Sequence, residues 1–499
     1  PQECILRKQT YAASLYSNVL HVEEYKKEIV QPDGSKVIDW IPTKRTLNEN
    51  VLLGDIPAMV RSCVCHTSDE PDIMDPNAPY EYGGNFIISG SEKVLVPQEK
   101  PRINRVFIYK SNKIKYRLMA EVRSCHEDKL RSTSTLTIRM QDVKGIKRFW
   151  VDIPYIKKPV PIFAVFRLLG FGSMEEAARC VVTGGRLSGR KPFPRTSKWN
   201  KPKTRALHYW IMTVFKNEVW CRCTKSQDGD NDNEDTKGKY MPDFSLMSYE
   251  EIIDWIGCIG TVKPTKEERY KYVHHLMANE FLPHVGVHNT PDILVRKRRY
   301  FAYIVYRLAL CGYEPKLREK DDKDHYGNKQ IETSGMLMSL CLRQNWRTLL
   351  RKMLNSLRKD VKANKTIRAG EMVSAKTISD NFKFALATGK WGTKKGASTQ
   401  TGISQPMKRM CHMTWLSHLR KLNVPLNREG KNPEPRMLRF SHWGIACPAT
   451  TPEGQPCGLI KALALGARVT TGVRSDVMAN VILYCMNKDD FDYFPGSTY

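Results

Sequence analysis

The residues that invite a chemical reading are few. Asp489, Asp490 and Asp492 have the alternate-carboxylate spacing that can hold magnesium for phosphoryl transfer. They stand seven residues from the end of the sequence beside Phe491, Tyr493 and Phe494, which reads as an exposed loop. Asp228, Asp230 and Asp232 resemble the start of a calcium loop. Asn233 stands where glycine should make the turn, and Lys239 where a carboxylate should close the cage, so a solvated loop over 227–239 is expected. Cys63, Cys65 and His66, and Cys221 with Cys223, come closest to zinc spacing, yet no C-x-x-C occurs among 14 cysteines. Reduced core cysteines and an intracellular compartment are the expectation. Gly389-Lys390 is followed by Trp391, so no phosphate loop forms, and neither H-E-x-x-H nor G-x-S-x-G is present. No catalytic residue is expected in this chain.

Binding is better supported than catalysis. Eighty Lys+Arg against 52 Asp+Glu give a formal charge of +28 over 499 residues, a field that concentrates polyanions. An anionic membrane is the rival, but no apolar run reaches the roughly 18 residues of a span. The longest, 161–172 and 300–313, are interrupted by Arg167 and Arg307 and read as buried helices. The most telling basic segment is 390–440, where 11 Lys/Arg meet only Glu429 and Glu434. Glycines and prolines interleave there, which suits turn-rich loops gripping a nucleic-acid backbone.

The elements that must carry these loops are mixed. Strand-type sequence runs from Val51 to about Met140, with a hairpin turning at Ser89-Gly90 and further strands at 106–109, 116–122 and 134–140. The proline-rich crossing 154–161 leads into helical sequence and marks a domain boundary. Leu342, Trp346, Leu349, Leu350, Met353, Leu354 and Leu357 keep helical spacing, with Arg343, Arg347 and Arg351 as a basic stripe on the same element. Thr451-Pro-Glu-Gly454 fits a type I turn. The sequence opens on Pro1 with no signal-peptide pattern, and a fragment of a longer chain is expected.

Eight blocks, in order, resemble the second-largest subunits of multisubunit DNA-directed RNA polymerases. They are Pro1-Gln-Glu-Cys; Tyr82-Gly-Gly-Asn-Phe-Ile-Ile-Ser-Gly-Ser-Glu-Lys-Val-Leu-Val-Pro-Gln-Glu99; Phe281-Leu-Pro-His-Val-Gly286; Asp324-His-Tyr-Gly-Asn-Lys329; Phe384-Ala-Leu-Ala-Thr-Gly-Lys-Trp-Gly392; Gly402-Ile-Ser-Gln405 with Leu416-Ser-His-Leu-Arg420; Ser441-His-Trp-Gly-Ile-Ala-Cys-Pro448; and Thr451-Pro-Glu-Gly-Gln-Pro-Cys-Gly-Leu-Ile460. The third and fifth are similar to the polymerase II class in particular. The resemblance covers the chain from Pro1 to about Thr471 and corresponds to the family's N-terminal half.

That resemblance implies a multidomain α+β fold. A protrusion over 1–150 and 331–389 would flank a lobe at 151–330, followed by a fork at 390–470 and the start of an external domain at 471–499. Arg420 and Lys421 would face template or hybrid phosphates, and Arg428 and Lys431 downstream DNA. Gln405 would line the active centre on its RNA side, with Arg436 and Glu453 closest to the catalytic centre. It also implies partners: the largest and the smaller polymerase subunits, the DNA template, the DNA–RNA hybrid and ribonucleoside triphosphates. Mg2+ would be held by the largest subunit, and Zn2+ only by a C-terminal part that follows in the family. The expected compartment is the nucleus, or the cytoplasm for a polymerase encoded by a large DNA virus. Two departures stand out: Thr450 replaces an acid common among relatives, and the first fork loop, 394–401, lacks the family's arginine and is one residue shorter. The rival reading is a free-standing basic nucleic-acid-binding protein. A metal nuclease using the three late aspartates is more remote.

Overall fold

The computed structural model describes residues 1–30, 36–67, 81–110, 116–126, 133–143, 145–184, 201–219, 244–260, 265–288, 290–313, 319–363, 365, 370–391, 401–430, 432–470, 473 and 475–485. The aspartates at 489–492, the loop 227–239, Cys221 and Cys223, most of 394–401 and Lys431 lie outside these residues. The chain divides into two compact units, one formed by Pro1–Lys100 with Lys329–Val469, the other by Pro101–Asn328 with Thr470–Tyr499.

The first stretch of the first unit opens with the short helix α1 (Gln2–Leu6) and a long antiparallel ribbon, β1 (Ala12–Val30) with β2 (Lys36–Pro57). The expected hairpin follows as β3 (Phe86–Ile88) and β4 (Ser91–Leu95), paired Ile88 to Ser91. Ser89 and Gly90 both adopt positive φ (49° and 79°), the two-residue turn whose twist matches that of the strands. β5 (Gln98–Pro101) ends this stretch.

The second unit holds a five-stranded antiparallel meander of β6 (Val106–Lys110), β7 (Tyr116–Ser124), β8 (Ser134–Val143), β9 (Ile146–Asp152) and β10 (Val160–Pro161). Helices α2 (Ile162–Leu168), α3 (Met174–Val182), α4 (Lys201–Val219), α5 (Tyr249–Gly260), α6 (Lys266–Asn279) and α7 (Pro291–Tyr313) belong to the same unit. Alternation places Leu118, Ala120 and Val122 of β7 in one core with Phe163, Phe166, Phe281 and Phe301. The proline-rich crossing 154–161 is therefore no boundary between compact units, since Phe149, Val151, Val160 and Ile162 share that core. The break falls at Lys100/Pro101 instead. The block at Phe281–Gly286 is a packing corner: Phe281 and Leu282 are buried, and the His284 amide donates to Ser124 Oγ at 3.1 Å.

The basic run Arg296–Arg299 lies inside α7, which starts well before Tyr300. Lys297 is 2% exposed and donates to the Met277 and Ala278 carbonyls at 2.7 and 2.9 Å, closing the open end of α6. Burial pushes its pKa down from 10.5 to about 8. Between these values the unfolded chain binds more protons than the folded one, so stability rises with pH across that window. Relative to Lys297→Met, the wild type is expected to gain about 3 kcal/mol between pH 8 and 10.5. Urea unfolding of both proteins across that range checks this, and a constant difference would contradict it.

The chain then returns to the first unit with β11 (Lys329–Glu332), α8 (Ser334–Lys362), α9 (Ala375–Thr388), β12 (Ser404–Pro406), α10 (His412–Leu419), β13 (Lys421–Asn423) and β14 (Ile460–Ala462). A last helix, α11, spans Ser475–Cys485. β12 joins the β3–β4 hairpin, and a four-stranded sheet has the order β11-β5-β13-β14. Its β5–β13 contact is parallel, Asn423 against Gln98, so residues from both stretches build one sheet. Among the described residues no helix is long and apolar enough to cross a membrane.

Candidate nucleic-acid interface

The basic segment from Ser404 to Ala462 is assembled on that sheet. α10 ends at Leu419 and runs straight into β13, whose Lys421 opposes Ala462 of β14. Strand alternation puts Leu422 and Lys461 on one face, against buried Glu99, and Lys421, Asn423 and Gln98 on the other. Asn423 Nδ2 donates to Gln98 Oε1 at 2.8 Å and fixes this second face.

Gln405, Lys408, His418 and Lys421 come together there. His418 is 1% exposed. Its Nδ1 accepts the Lys408 amide at 3.3 Å, which leaves the proton on Nε2 to donate to Gln405 Oε1 at 3.2 Å. Gln405 Nε2 in turn donates to the Gly402 carbonyl at 3.1 Å, so its amide is fully oriented. Burial, then the charges of Lys421 and Lys408, pushes His418 below its ordinary pKa, and burial followed by Lys408 does the same to Lys421. These cations repel one another, and a phosphate between them would relieve that repulsion.

The second cluster is the loop after β13. The Val424 amide donates to the Leu459 carbonyl, which holds this loop beside the turn before β14. Arg436 fastens the two: Nη1 donates to the Gln455 and Cys457 carbonyls at 2.5 and 3.0 Å, and Nη2 to the Arg428 carbonyl at 2.7 Å. Arg428 is left exposed at the loop tip, and Glu453 exposed on the facing turn. The hydrogen-bonded turn itself closes at Gly454–Cys457, three residues beyond the expected Thr451–Gly454. Thr451 Oγ1 is engaged elsewhere, donating to the Ile460 carbonyl and accepting the Gly458 amide.

Charge count and available charge differ here. Arg420 donates Nη2 to the Ala464 and Leu465 carbonyls at 2.6 and 3.1 Å, so in this structure it pins the strand end. Arg409 is held by Glu92 and Glu81 and lies 4.7 Å over the Trp415 ring. Lys408, Lys421 and Arg428 have no carboxylate partner among the described residues, and Lys431 lies outside them. Behind the sheet stands an ion array that sequence reasoning missed. Glu99, with 1% of its side chain exposed, binds Lys329 through Oε1 and Lys461 through Oε2, the latter at 3.1 Å. His442, 3% exposed, places Nε2 3.4 Å from Lys461 Nζ. The one signal for this array in the sequence is that Glu99, Lys329, His442 and Lys461 all fall in or beside the polymerase-like blocks. Among the described residues no group of three or more His, Cys, Asp or Glu could hold a metal ion.

Known protein families match both this segment and the earlier part of the chain. The RNA polymerase beta subunit family matches residues 1–380, and RNA polymerase Rpb2, domain 3 matches residues 405–469. The chain is 35% identical to DNA-directed RNA polymerase II subunit 2 of Arabidopsis thaliana, over 95% of its own length and 36% of that protein's. It is 31% identical to DNA-directed RNA polymerase II subunit RPB2 of Meyerozyma guilliermondii, over 100% of this chain and 37% of the relative. DNA-directed RNA polymerase subunit Rpo2N of Methanothermobacter thermautotrophicus is 26% identical, with 97% of this chain and 83% of that protein aligned. The chain thus spans about a third of the length of the polymerase II subunits it matches. With the first family match covering most of its residues, it belongs to the RNA polymerase beta subunit family.

Proposed function

We propose that the chain forms one side of the nucleic-acid cleft of a DNA-dependent RNA polymerase, working against the largest subunit and alongside smaller ones. Family membership supports the polymerase reading. The observation that carries the interface is the cluster of Lys408 and Lys421 around neutral His418, with Arg428 on a loop clamped by Arg436. Such cations grip phosphate without reading bases, which suits an enzyme that must move over any sequence. Gln405, Lys421, Arg428 and Lys431 would border template, hybrid and downstream DNA, with Arg420 holding the strand end beside Lys421 and with Arg436 and Glu453 nearest the reacting nucleotides. The first compact unit would supply the protrusion and fork, the second the lobe. Mg2+ would belong to the largest subunit and Zn2+ to a C-terminal part, and the enzyme would work in the nucleus. A free-standing binding protein would share the charge but leaves the family matches over 1–380 and 405–469 unexplained.

Purification from native extract should bring down a larger subunit and magnesium-dependent, templated incorporation of ribonucleotides. In the complex, Arg428→Ala and Lys421→Ala are each expected to flatten the plot of log affinity against log salt by about 0.9 for every duplex phosphate that the variant no longer neutralises. Unchanged slopes would remove these residues from the interface. A chain that purifies alone and makes no RNA would sink the polymerase reading.

A further inference from the structure

The apolar stripe of α8 is covered along one edge and open along the other. Leu337, Cys341 and Leu349 are buried, and Leu342, Trp346 and Met353 pack partly against the core that holds Ile378, Phe382 and Leu386. Leu350, Leu354, Leu357 and Val361 are instead 47%, 47%, 36% and 51% exposed. Their spacing of four, three and four residues aligns them within an arc of about 60°, along about 16 Å of helix axis. Arg351, Arg358 and Lys362, all exposed, lie about 90° to one side of this seam. Asp360, the sole acid in α8, is half-buried on the opposite side.

We propose that this seam receives an amphipathic helix of a partner protein that carries acidic residues along one edge. Leu350, Leu354, Leu357 and Val361 stand at i, i+4, i+7 and i+11, the alternation of three- and four-residue steps with which helices present apolar side chains to one another. A phosphate backbone has no use for such a seam, because its affinity comes from counterion release by cations. The one-sided basic flank decides the charge of the partner and its orientation. Acidic residues on the matching edge would meet Arg351, Arg358 and Lys362, whereas a basic helix would be repelled.

The test uses the full chain and a fluorescein-labelled, helix-stabilised peptide. The peptide carries leucines at i, i+3, i+4, i+7 and i+11 and glutamates along one flank, and binding is read by fluorescence anisotropy. Saturable binding is expected, weakened about tenfold or more by combined Leu354→Asp and Leu357→Asp. Because these side chains are exposed, the variant should keep the wild-type circular dichroism spectrum. Arg351→Glu with Arg358→Glu should weaken the glutamate peptide and let a lysine-flanked one bind in its place. This charge reversal is an independent arm should the aspartate variant unfold. Equal binding of a scrambled peptide, or no binding, would overturn the proposal. So would a seam variant that weakens a labelled DNA oligonucleotide as much as it weakens the peptide.

Discussion

Replacing Glu99 with alanine is expected to lower stability by about 3–5 kcal/mol, because two buried ammonium groups lose the carboxylate they share. Lys329 and Lys461 have only 8% and 9% of their side chains exposed, so water cannot readily take over. The effect should reach the interface, since Glu99 lies behind the strand pair that displays Lys421 on its other face. Pairing Glu99→Ala with Lys461→Met removes one stranded charge along with its partner. That double variant should recover at least about 1 kcal/mol relative to the sum of the singles. Urea unfolding of the four proteins in the cycle measures this coupling. Additive losses would mean that Glu99 and Lys461 do not depend on one another.

Gly458→Ala should be nearly as severe, for a different reason. Gly458 has φ +74°, and a Cβ there would sit 2.3 Å from the Arg436 carbonyl oxygen and 2.6 Å from its Cα. Left-handed backbone alone costs an L-residue about 1–2 kcal/mol. A collision with backbone cannot be relieved by a rotamer change, so about 3–5 kcal/mol in total is expected. Displacing Arg436 would also loosen the four-carbonyl clamp on the Arg428 loop, so the salt slope should fall as it does for Arg428→Ala. Gly454→Ala is the internal control. Its φ is +82°, yet nothing lies within 4 Å of the added Cβ, so only the backbone penalty should appear. Thermal unfolding of the two variants separates the contributions, and equal losses would refute the collision.

Local patterns were the legible part of this fold. The hairpin at Ser89-Gly90, the first three strands of the meander and the helices at 162–168 and 334–362 all follow from alternation, turn chemistry or helical period. The misplaced boundary at 154–161 has a physical cause: prolines mark a change of direction, and here the chain turns within one core. α8 shows a second limit, because periodicity identifies apolar positions without saying which of them another element will cover. In the candidate site, composition located the basic segment but could not tell open cations from those already engaged. Arg409 and Arg420 look as available as Arg428 in sequence, until Glu92, Glu81 and two carbonyls close on them. The Glu99 array joins residues 230 and 362 positions apart, which no local pattern contains.

The discontinuous first unit also constrains the order of events at the ribosome. Its first hundred residues are made long before β11, α8 and β13, so their sheet edges and half of their core wait without partners. The intervening stretch 101–328 is unbroken and holds the whole meander core, so it can condense while the rest is still being synthesised. Once folded, it brings its own ends together through the Arg102 amide on the Asn328 carbonyl at 2.9 Å. A long floppy loop thereby becomes a short, pre-closed one, and the entropic penalty of joining β5 to β13 shrinks accordingly. Slow, non-local pairing of this kind leaves unpaired strands exposed during synthesis. Early folding of residues 101–328 eases the closing step that ends this exposure, once the second stretch has been made.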